Sequence, residues 1–290
     1  MAKKIGFIGL GNLGTPIAIN LASNNPGLFV YNRTLSRTIP LSNIGAEVCD
    51  SIESLATKCD IVFTMVSDDS AIMSIANGGL IEKLRPGGIH VSMSTILPAT
   101  ASKLFELHQK KGQHYLAAPV FGRPEAAVAK KLNFAISGER EIRKEIEPLL
   151  NQCGAAAVWD FGDEITNANT VKLCGNFLIA SALEAIGEST ALAEKSGIDA
   201  HKMWNMLSQT LFSSPVYQNY SKLILNKNFD NAGFTVKLGL KDVELILEQA
   251  KQVGENLPLA RLLQKNMKSL IQIGKSDIDW CAISMGATIE

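Results

Sequence analysis

Apolar residues fall into two rhythms along this chain. Through the first half they come as short runs: Ile5-Gly6-Phe7-Ile8, Leu28-Phe29-Val30-Tyr31, Asp60-Ile61-Val62-Phe63-Thr64-Met65-Val66 and Gly88-Ile89-His90-Val91-Ser92-Met93. Each is followed by a stretch with apolar residues at helical spacing, such as 13–22 with Ile17 and Leu21 inward. Such apolar runs suit strands buried on both faces, and strand-helix alternation predicts a parallel sheet. Further short strands are predicted at 114–118, 133–137 and 155–159, with a helix over 139–153. Beyond Ile165 the strand signal stops. Residues 167–195 form a long Ala-rich helical pattern that Gly197 ends, and helices are predicted at 203–211, 236–253 and 260–273. The expected architecture is an α/β domain with a mostly parallel sheet over 1–163 and an all-α domain over 164–290. With no Gly/Ser-rich linker at the junction, one rigid helix joins them.

The first strand runs straight into Gly9-Leu10-Gly11-Asn12-Leu13-Gly14, a G-x-G-x-x-G turn opening a helix. Such a turn is either a structural glycine bend or a dinucleotide cradle of the Rossmann type. In the second case Gly9 makes the tight turn, Gly11 lets a pyrophosphate reach the backbone and Gly14 allows close packing. Phosphates would sit on the free N–H groups of the helix. Pro16 falls in the first turn, where a missing donor costs little. The exit of the second strand reads Asn32-Arg33-Thr34, and no carboxylate follows until Glu47. An acid there would hold free ribose hydroxyls. A guanidinium beside a hydroxyl suits a 2′-phosphate instead, so NADP is expected, with NAD as the alternative. The competing reading of Arg33 is a solvated loop arginine.

Composition narrows the class without naming the reaction. The chain has 290 residues, 46% hydrophobic and 19% charged, with 28 basic and 28 acidic side chains. That is ordinary globular composition, and the balanced charge points to no nucleic-acid or membrane partner. No residue from Ile5 to Asn32 is charged, yet glycines, Pro16 and the Asn24-Asn25-Pro26-Gly27 turn break the stretch, so neither a signal peptide nor a membrane span is expected. Cys49, Cys59, Cys153, Cys174 and Cys281 have no metal or disulfide spacing, which predicts buried reduced thiols in a cytoplasm and no metal site. His90, His108, His114 and His201 stand apart in sequence and are expected to be structural or exposed.

Chemistry is expected at the carboxyl ends of the strands, where open α/β sheets bind ligands. Val66 and Ser67 follow one strand and Ser94 and Thr95 another; these hydroxyls either face a ligand or cap helices. On the long helix, Lys172 and Asn176 lie one turn apart and share a face, and a cleft there would hold them together. A lysine ammonium can give a proton to the oxygen of a carbonyl that receives hydride, and an amide can hold that oxygen or the lysine. The spacing alone is equally that of a solvated surface lysine.

Taken together, these segments resemble the β-hydroxyacid dehydrogenase family, relatives of phosphogluconate dehydrogenase, over nearly the whole chain. The family opening G-x-G-x-M-G-x-P-M-A-x-N-L is similar to residues 9–21, its serine-threonine step to Ser94-Thr95 and its A-P-V-x-G segment to Ala118-Pro119-Val120-Phe121-Gly122. Its K-x-x-x-N pair is similar to Lys172 and Asn176, and its late K-D pair to Lys241-Asp242. The resemblance implies a Rossmann domain plus a helical domain that dimerises through long helices. It implies interconversion of small aldehyde-acids and hydroxyacids with NAD or NADP. Lys172 would be proton donor and acceptor; Asn176 and Thr95 would position substrate oxygens or cofactor, and Lys241 would lie over the nicotinamide. The substrate segment departs from the pattern: where members bearing a carboxylate site have a serine and two glycines, this chain has Phe121-Gly122-Arg123-Pro124, and Gly175 replaces a second asparagine. Phe121 either packs the loop or touches substrate, and Arg123 either supplies an anion contact or is solvated. The alternatives are an imine reductase, against which Lys172 counts, and a non-catalytic NADP-binding scaffold.

Overall fold

All four residues of β1 (Ile5–Ile8) are buried, and the glycine turn after them feeds α1 (Gly14–Ala22). The computed structural model describes residues 3–288. There follow β2 (Phe29–Tyr31), α2 (Ile39–Ser42), β3 (Glu47–Val48), α3 (Ile52–Lys58), β4 (Ile61–Thr64), α4 (Asp69–Ile75), α5 (Ile81–Lys83), β5 (Ile89–Ser92), α6 (Pro98–Gln109) and β6 (His114–Ala117). These six strands form one parallel sheet in the order β3-β2-β1-β4-β5-β6. The chain works outward from β1 to β3 and then from β4 to β6. The crevice beyond the carboxyl ends of β1 and β4 is therefore the switch point, where a doubly wound sheet takes its ligand. This is the Rossmann arrangement expected from the apolar runs.

A second, three-stranded sheet holds β7 (Val120–Phe121), β8 (Leu132–Ile136) and β9 (Ala155–Asp160), with α7 (Pro124–Val128) after β7 and α8 (Arg140–Gln152) before β9. A bridge between Ala117 and Ser137 ties it to the end of β6. The Ser137 hydroxyl donates to the carbonyl of Ile165 and accepts the N–H of Ala168, which fixes the start of α9 (Asn167–Lys195).

The chain divides into two compact units, one ending at Lys172 and one beginning at Leu173, and α9 runs through that point with no linker. The second unit adds α10 (Ala200–Gln209), α11 (Pro215–Leu225), α12 (Val236–Val253), α13 (Pro258–Gln272) and a closing 3-10 segment Trp280–Thr288. Its core gathers Leu183 and Ile186 of α9 with Trp204, Val243, Leu263, Met267 and Trp280. Helix α11 escaped the sequence reading because its Tyr, Asn and Ser residues carry weak helix propensity; Pro215 in its first turn and Tyr220 and Ile224 in the core hold it.

His90 and His108 are not isolated. Gln113 donates its amide N–H groups to the carbonyls of Ile81 and Leu84, so its oxygen faces His108 Nδ1 at 2.8 Å and accepts. His108 Nε2 must then accept from His90 Nδ1 at 2.8 Å, and His90 Nε2 from the Thr64 hydroxyl at 2.9 Å. Both rings are fully buried. A proton added to His108 Nε2 would set it against the His90 Nδ1–H, two donors face to face, so the chain holds together with His108 neutral. Burial drives the His90 pKa well below the ordinary imidazole range and that of His108 down to about 4. In the helical unit Glu184 is buried, accepts from Asn266 Nδ2 at 2.7 Å, and has its carboxyl pushed up to about 7 by burial.

These shifts give opposite pH slopes. The unfolded chain takes up protons on its histidines below about pH 6.5 while the folded Rossmann unit resists until about 4, so that unit loses stability as pH falls through this window, by about 3 kcal/mol for His108. Glu184 is protonated in the folded helical unit up to about 7 but only to about 4.5 when unfolded, so that unit loses stability as pH rises between these values. Amide exchange protection factors, corrected for intrinsic rates, are expected to fall in β4 and β5 on acidification from pH 6.5 to 4.5 and to rise in α9 and α13.

Candidate active site

The three glycines after β1 differ in what surrounds them. A Cβ at Gly9, whose φ is +100°, would lie 2.2 Å from the carbonyl oxygen of Met65; one at Gly14 would lie 2.1 Å from the carbonyl oxygen of Gly9. Both positions need glycine because backbone meets backbone. At Gly11 the nearest atom is Arg37 Nη1 at 3.8 Å, so this stretch of backbone is open on its outer side. The turn is tied down at both ends. Gly9 N–H donates to Tyr31 O, Leu10 N–H donates to the Asn32 side-chain oxygen at 2.9 Å, and Met65 N–H donates to Ile8 O. Leu13 precedes α1 with no side-chain cap; in the first turn Thr15 N–H donates to Gly11 O, Ile17 N–H donates to Leu13 O and Pro16 has no N–H to offer.

Beside the turn is a cavity of about 450 Å³ lined by Leu10, Gly11, Asn12, Thr15, Arg37 and Pro124, among others. Open backbone at Gly11, an uncapped helix start and a guanidinium in one wall fit a phosphate-bearing nucleotide. Arg37 was not singled out in the sequence, although its spacing from Arg33 places it one turn further along the segment after β2. It donates to Leu10 O at 3.4 Å and so leans over the glycine turn. Asn32 uses its amide nitrogen on Thr34 O at 2.8 Å as well, making it the clasp between the glycine turn and the β2 exit, while Arg33 and Thr34 are exposed.

At the β4 and β5 exits the open choice between ligand contact and helix cap resolves differently for each hydroxyl. Asp68 caps α4, accepting from Ala71 N–H at 2.8 Å, and the Ser67 hydroxyl donates to it at 2.7 Å. Ser94 is fully buried and its hydroxyl accepts the N–H of Val66 at 2.9 Å, joining the two exits; neither it nor Thr95 caps α6, whose start has no side-chain cap. Thr95 is partly exposed at the same exit.

Lys172 is buried, at 8% exposure, which excludes the solvated surface lysine. Its Nζ lies 4.2 Å from the centre of the Phe121 ring, a cation-π contact within the Rossmann unit. The ring is aimed by β7, where Phe121 pairs with Asn133, and by Gly122, whose φ of +141° turns the chain in a way that a side chain would obstruct against Leu132. Arg123 is half-buried before α7, with Nε 3.6 Å from Glu125. In the helical unit Asn176 donates its amide N–H to Asp242 Oδ2 at 2.5 Å, and Lys241 pairs with Asp242 Oδ1 at 2.6 Å. Asp242, 1% exposed, thus joins two residues that the sequence linked only by resemblance, and Lys241 also lines a cavity of about 500 Å³ with Lys237, Glu244 and Asp277. Four cysteines are buried free thiols as expected; Cys174 is exposed, because its place on α9 faces away from the helical core.

Residues 4–165 match the family profile described as the NAD binding domain of 6-phosphogluconate dehydrogenase, and 166–285 match that of the NAD-binding region of NADP-dependent 3-hydroxyisobutyrate dehydrogenase. Among curated proteins, the uncharacterized oxidoreductase YfjR of Bacillus subtilis is 43% identical over 97% of this chain and 98% of its own length. Glyoxylate/succinic semialdehyde reductase 1 of Arabidopsis thaliana is 28% identical over 97% and 96%. Among solved structures, the Mycobacterium tuberculosis 3-hydroxyisobutyrate dehydrogenase with L-serine superposes with a TM-score of 0.88 over 98% of both chains at 23% identity, a likeness of fold. With both profiles spanning nearly the whole length and the glycine turn built as a nucleotide cradle, the chain belongs to the β-hydroxyacid dehydrogenase family of NAD(P)-dependent oxidoreductases that act on CH–OH groups.

Proposed function

We propose that the chain is an NADP-dependent reductase and dehydrogenase that interconverts a small aldehyde or keto compound and its alcohol, with Lys172 as proton donor and acceptor. The observation that carries this reading is the buried ammonium of Lys172 in the same unit as the glycine-turn cradle. When bound, the nicotinamide supplies hydride to the carbonyl carbon in reduction and accepts it in oxidation. Lys172 gives a proton from Nζ to the carbonyl oxygen as negative charge builds there, and takes it back in the reverse direction. The Gly9–Gly14 turn and the N-terminus of α1 hold the pyrophosphate. Within the helical unit Asp242 fixes the amide of Asn176 and the ammonium of Lys241. Steady-state oxidation of NADPH across small aldehydes, keto compounds and cyclic imines tests the reading; turnover of imines alone would overturn it.

For the cofactor, Arg33 and Thr34 stand exposed at the β2 exit with no carboxylate near them in sequence, which favours a 2′-phosphate. Arg33→Ala is expected to lower kcat/KM for NADPH about 10- to 100-fold while changing that for NADH less than about 3-fold. Arg37→Ala, leaning over Gly11, is expected to weaken both cofactors alike. Equal use of NADPH and NADH by the unaltered protein would defeat the assignment.

We also read the protein as a homodimer or higher homo-oligomer. One side of α9 leaves Cys174, Leu178, Ala185 and Leu192 exposed, an apolar stripe at the spacing of a helix-helix seam. Light scattering is expected to give at least twice the chain mass, and Leu178→Glu with Leu192→Glu to halve it.

A further inference from the structure

We propose that Phe121 is the specificity-determining residue of this site, selecting carbonyl compounds with an apolar or uncharged group beside the carbonyl and rejecting those with a carboxylate there. This deepens the assignment of Lys172 as proton donor and rests on it. The ring centre lies 4.2 Å from Lys172 Nζ, so the aromatic face covers one side of the ammonium. A carbonyl whose oxygen takes the proton from beside the ring, at the rim of the stacked ammonium, brings its substituents against the ring. That ring offers carbon surface and no hydrogen-bond donor. An uncharged or apolar substituent gains contact there, whereas a carboxylate loses water without replacement and meets the negative face of the π system.

The cation such a carboxylate would reach first is Lys172 itself. Taking it diverts the ammonium from the carbonyl oxygen, so the acid binds unproductively. The backbone that carries the ring is fixed. Phe121 is held in register with Asn133, whose side-chain oxygen accepts from Trp159 Nε1 at 3.0 Å, and the turn at Gly122 is set against Leu132 and Ala126.

The test compares substrates differing in one charge: glyoxylate against methyl glyoxylate and pyruvate against methyl pyruvate, with NADPH, in the unaltered protein, Phe121→Ser and Phe121→Leu. The ester-to-acid ratio of kcat/KM is expected to fall at least tenfold in Phe121→Ser, through a lower KM for the acids, and to be kept within about threefold in Phe121→Leu, which is apolar without the π face. A ratio unchanged in Phe121→Ser overturns the proposal, as does a preference for the acids in the unaltered protein that Arg123→Ala removes. Calorimetry on the NADP⁺-loaded protein supplies a readout free of turnover: isobutyramide is expected to bind more tightly than oxamate, with the order reversed in Phe121→Ser. Binding of neither amide also overturns it. Turnover that survives Lys172→Met sinks the proton-donor reading instead, and is separately visible.

Discussion

Lys172→Met is expected to lower kcat for carbonyl reduction about 1000-fold while leaving the dissociation constant for NADPH within about threefold. General acid catalysis by a positioned side chain contributes roughly 100- to 10,000-fold, and the loss of a donor from a buried site falls inside that range. Methionine matches the length of the lysine stem and keeps contact with the Phe121 ring, so packing is preserved while the charge is removed. The site's 8% exposure leaves little room for water to substitute as acid. Single-turnover kinetics with bound NADPH would separate chemistry from release. Partial rescue of Lys172→Ala by small alkylamines, rising with the amine's protonated fraction, would distinguish a proton donor from a structural lysine. Unchanged kcat in Lys172→Met would remove the residue from the mechanism.

Gly9→Ala is expected to unfold or severely weaken the Rossmann unit, whereas Gly11→Ala is expected to leave the fold intact and impair cofactor binding. At Gly9 the new methyl would sit 2.2 Å from the Met65 carbonyl oxygen at a φ of +100°. Relieving that contact means separating β1 from the β4 exit, at a cost of about 3 to 5 kcal/mol against a total stability of about 5 to 15 kcal/mol. A fall in thermal midpoint of about 10 °C corresponds to this, or loss of soluble protein. At Gly11 the methyl meets nothing nearer than 3.8 Å, so the midpoint should move less than about 2 °C, while NADPH affinity falls at least tenfold because the methyl occupies the face offered to the pyrophosphate. Equal destabilisation by both substitutions would contradict the division of labour among the glycines.

Much of this was legible without coordinates where the signal is local. Runs such as Ile61–Thr64 and Ile89–Ser92 carry their burial in their own composition, and a parallel sheet follows from alternation with helices. The glycine spacing after β1 is equally local, since only glycine tolerates both the φ and the crowding that the turn imposes. Two-residue strands such as β3 and β7 left no periodicity to read. The roles of Asn32 and Ser94 were hidden for a different reason: a clasp to Leu10 N–H and a tie to Val66 N–H are made to backbone groups 22 and 28 residues away.

The unusual aromatic residue in the substrate segment stood out only by resemblance to the family; the residues themselves gave the two architectures, the nucleotide turn and the lysine-asparagine pair one helical turn apart. Each depends on chemistry within a few neighbouring residues. Only the folded chain decided that Lys172 is buried rather than solvated, that its ammonium lies on Phe121, that Asp242 binds both Asn176 and Lys241, and that His90, His108 and Gln113 form one line of hydrogen bonds. Apart from the short His108–Gln113 and Lys241–Asp242 steps, those are encounters between side chains 18 to 66 positions apart along the chain, and no periodicity encodes them. They exist because the sheet order and helix packing bring distant segments within a few ångströms, where burial and charge then determine what each group can do.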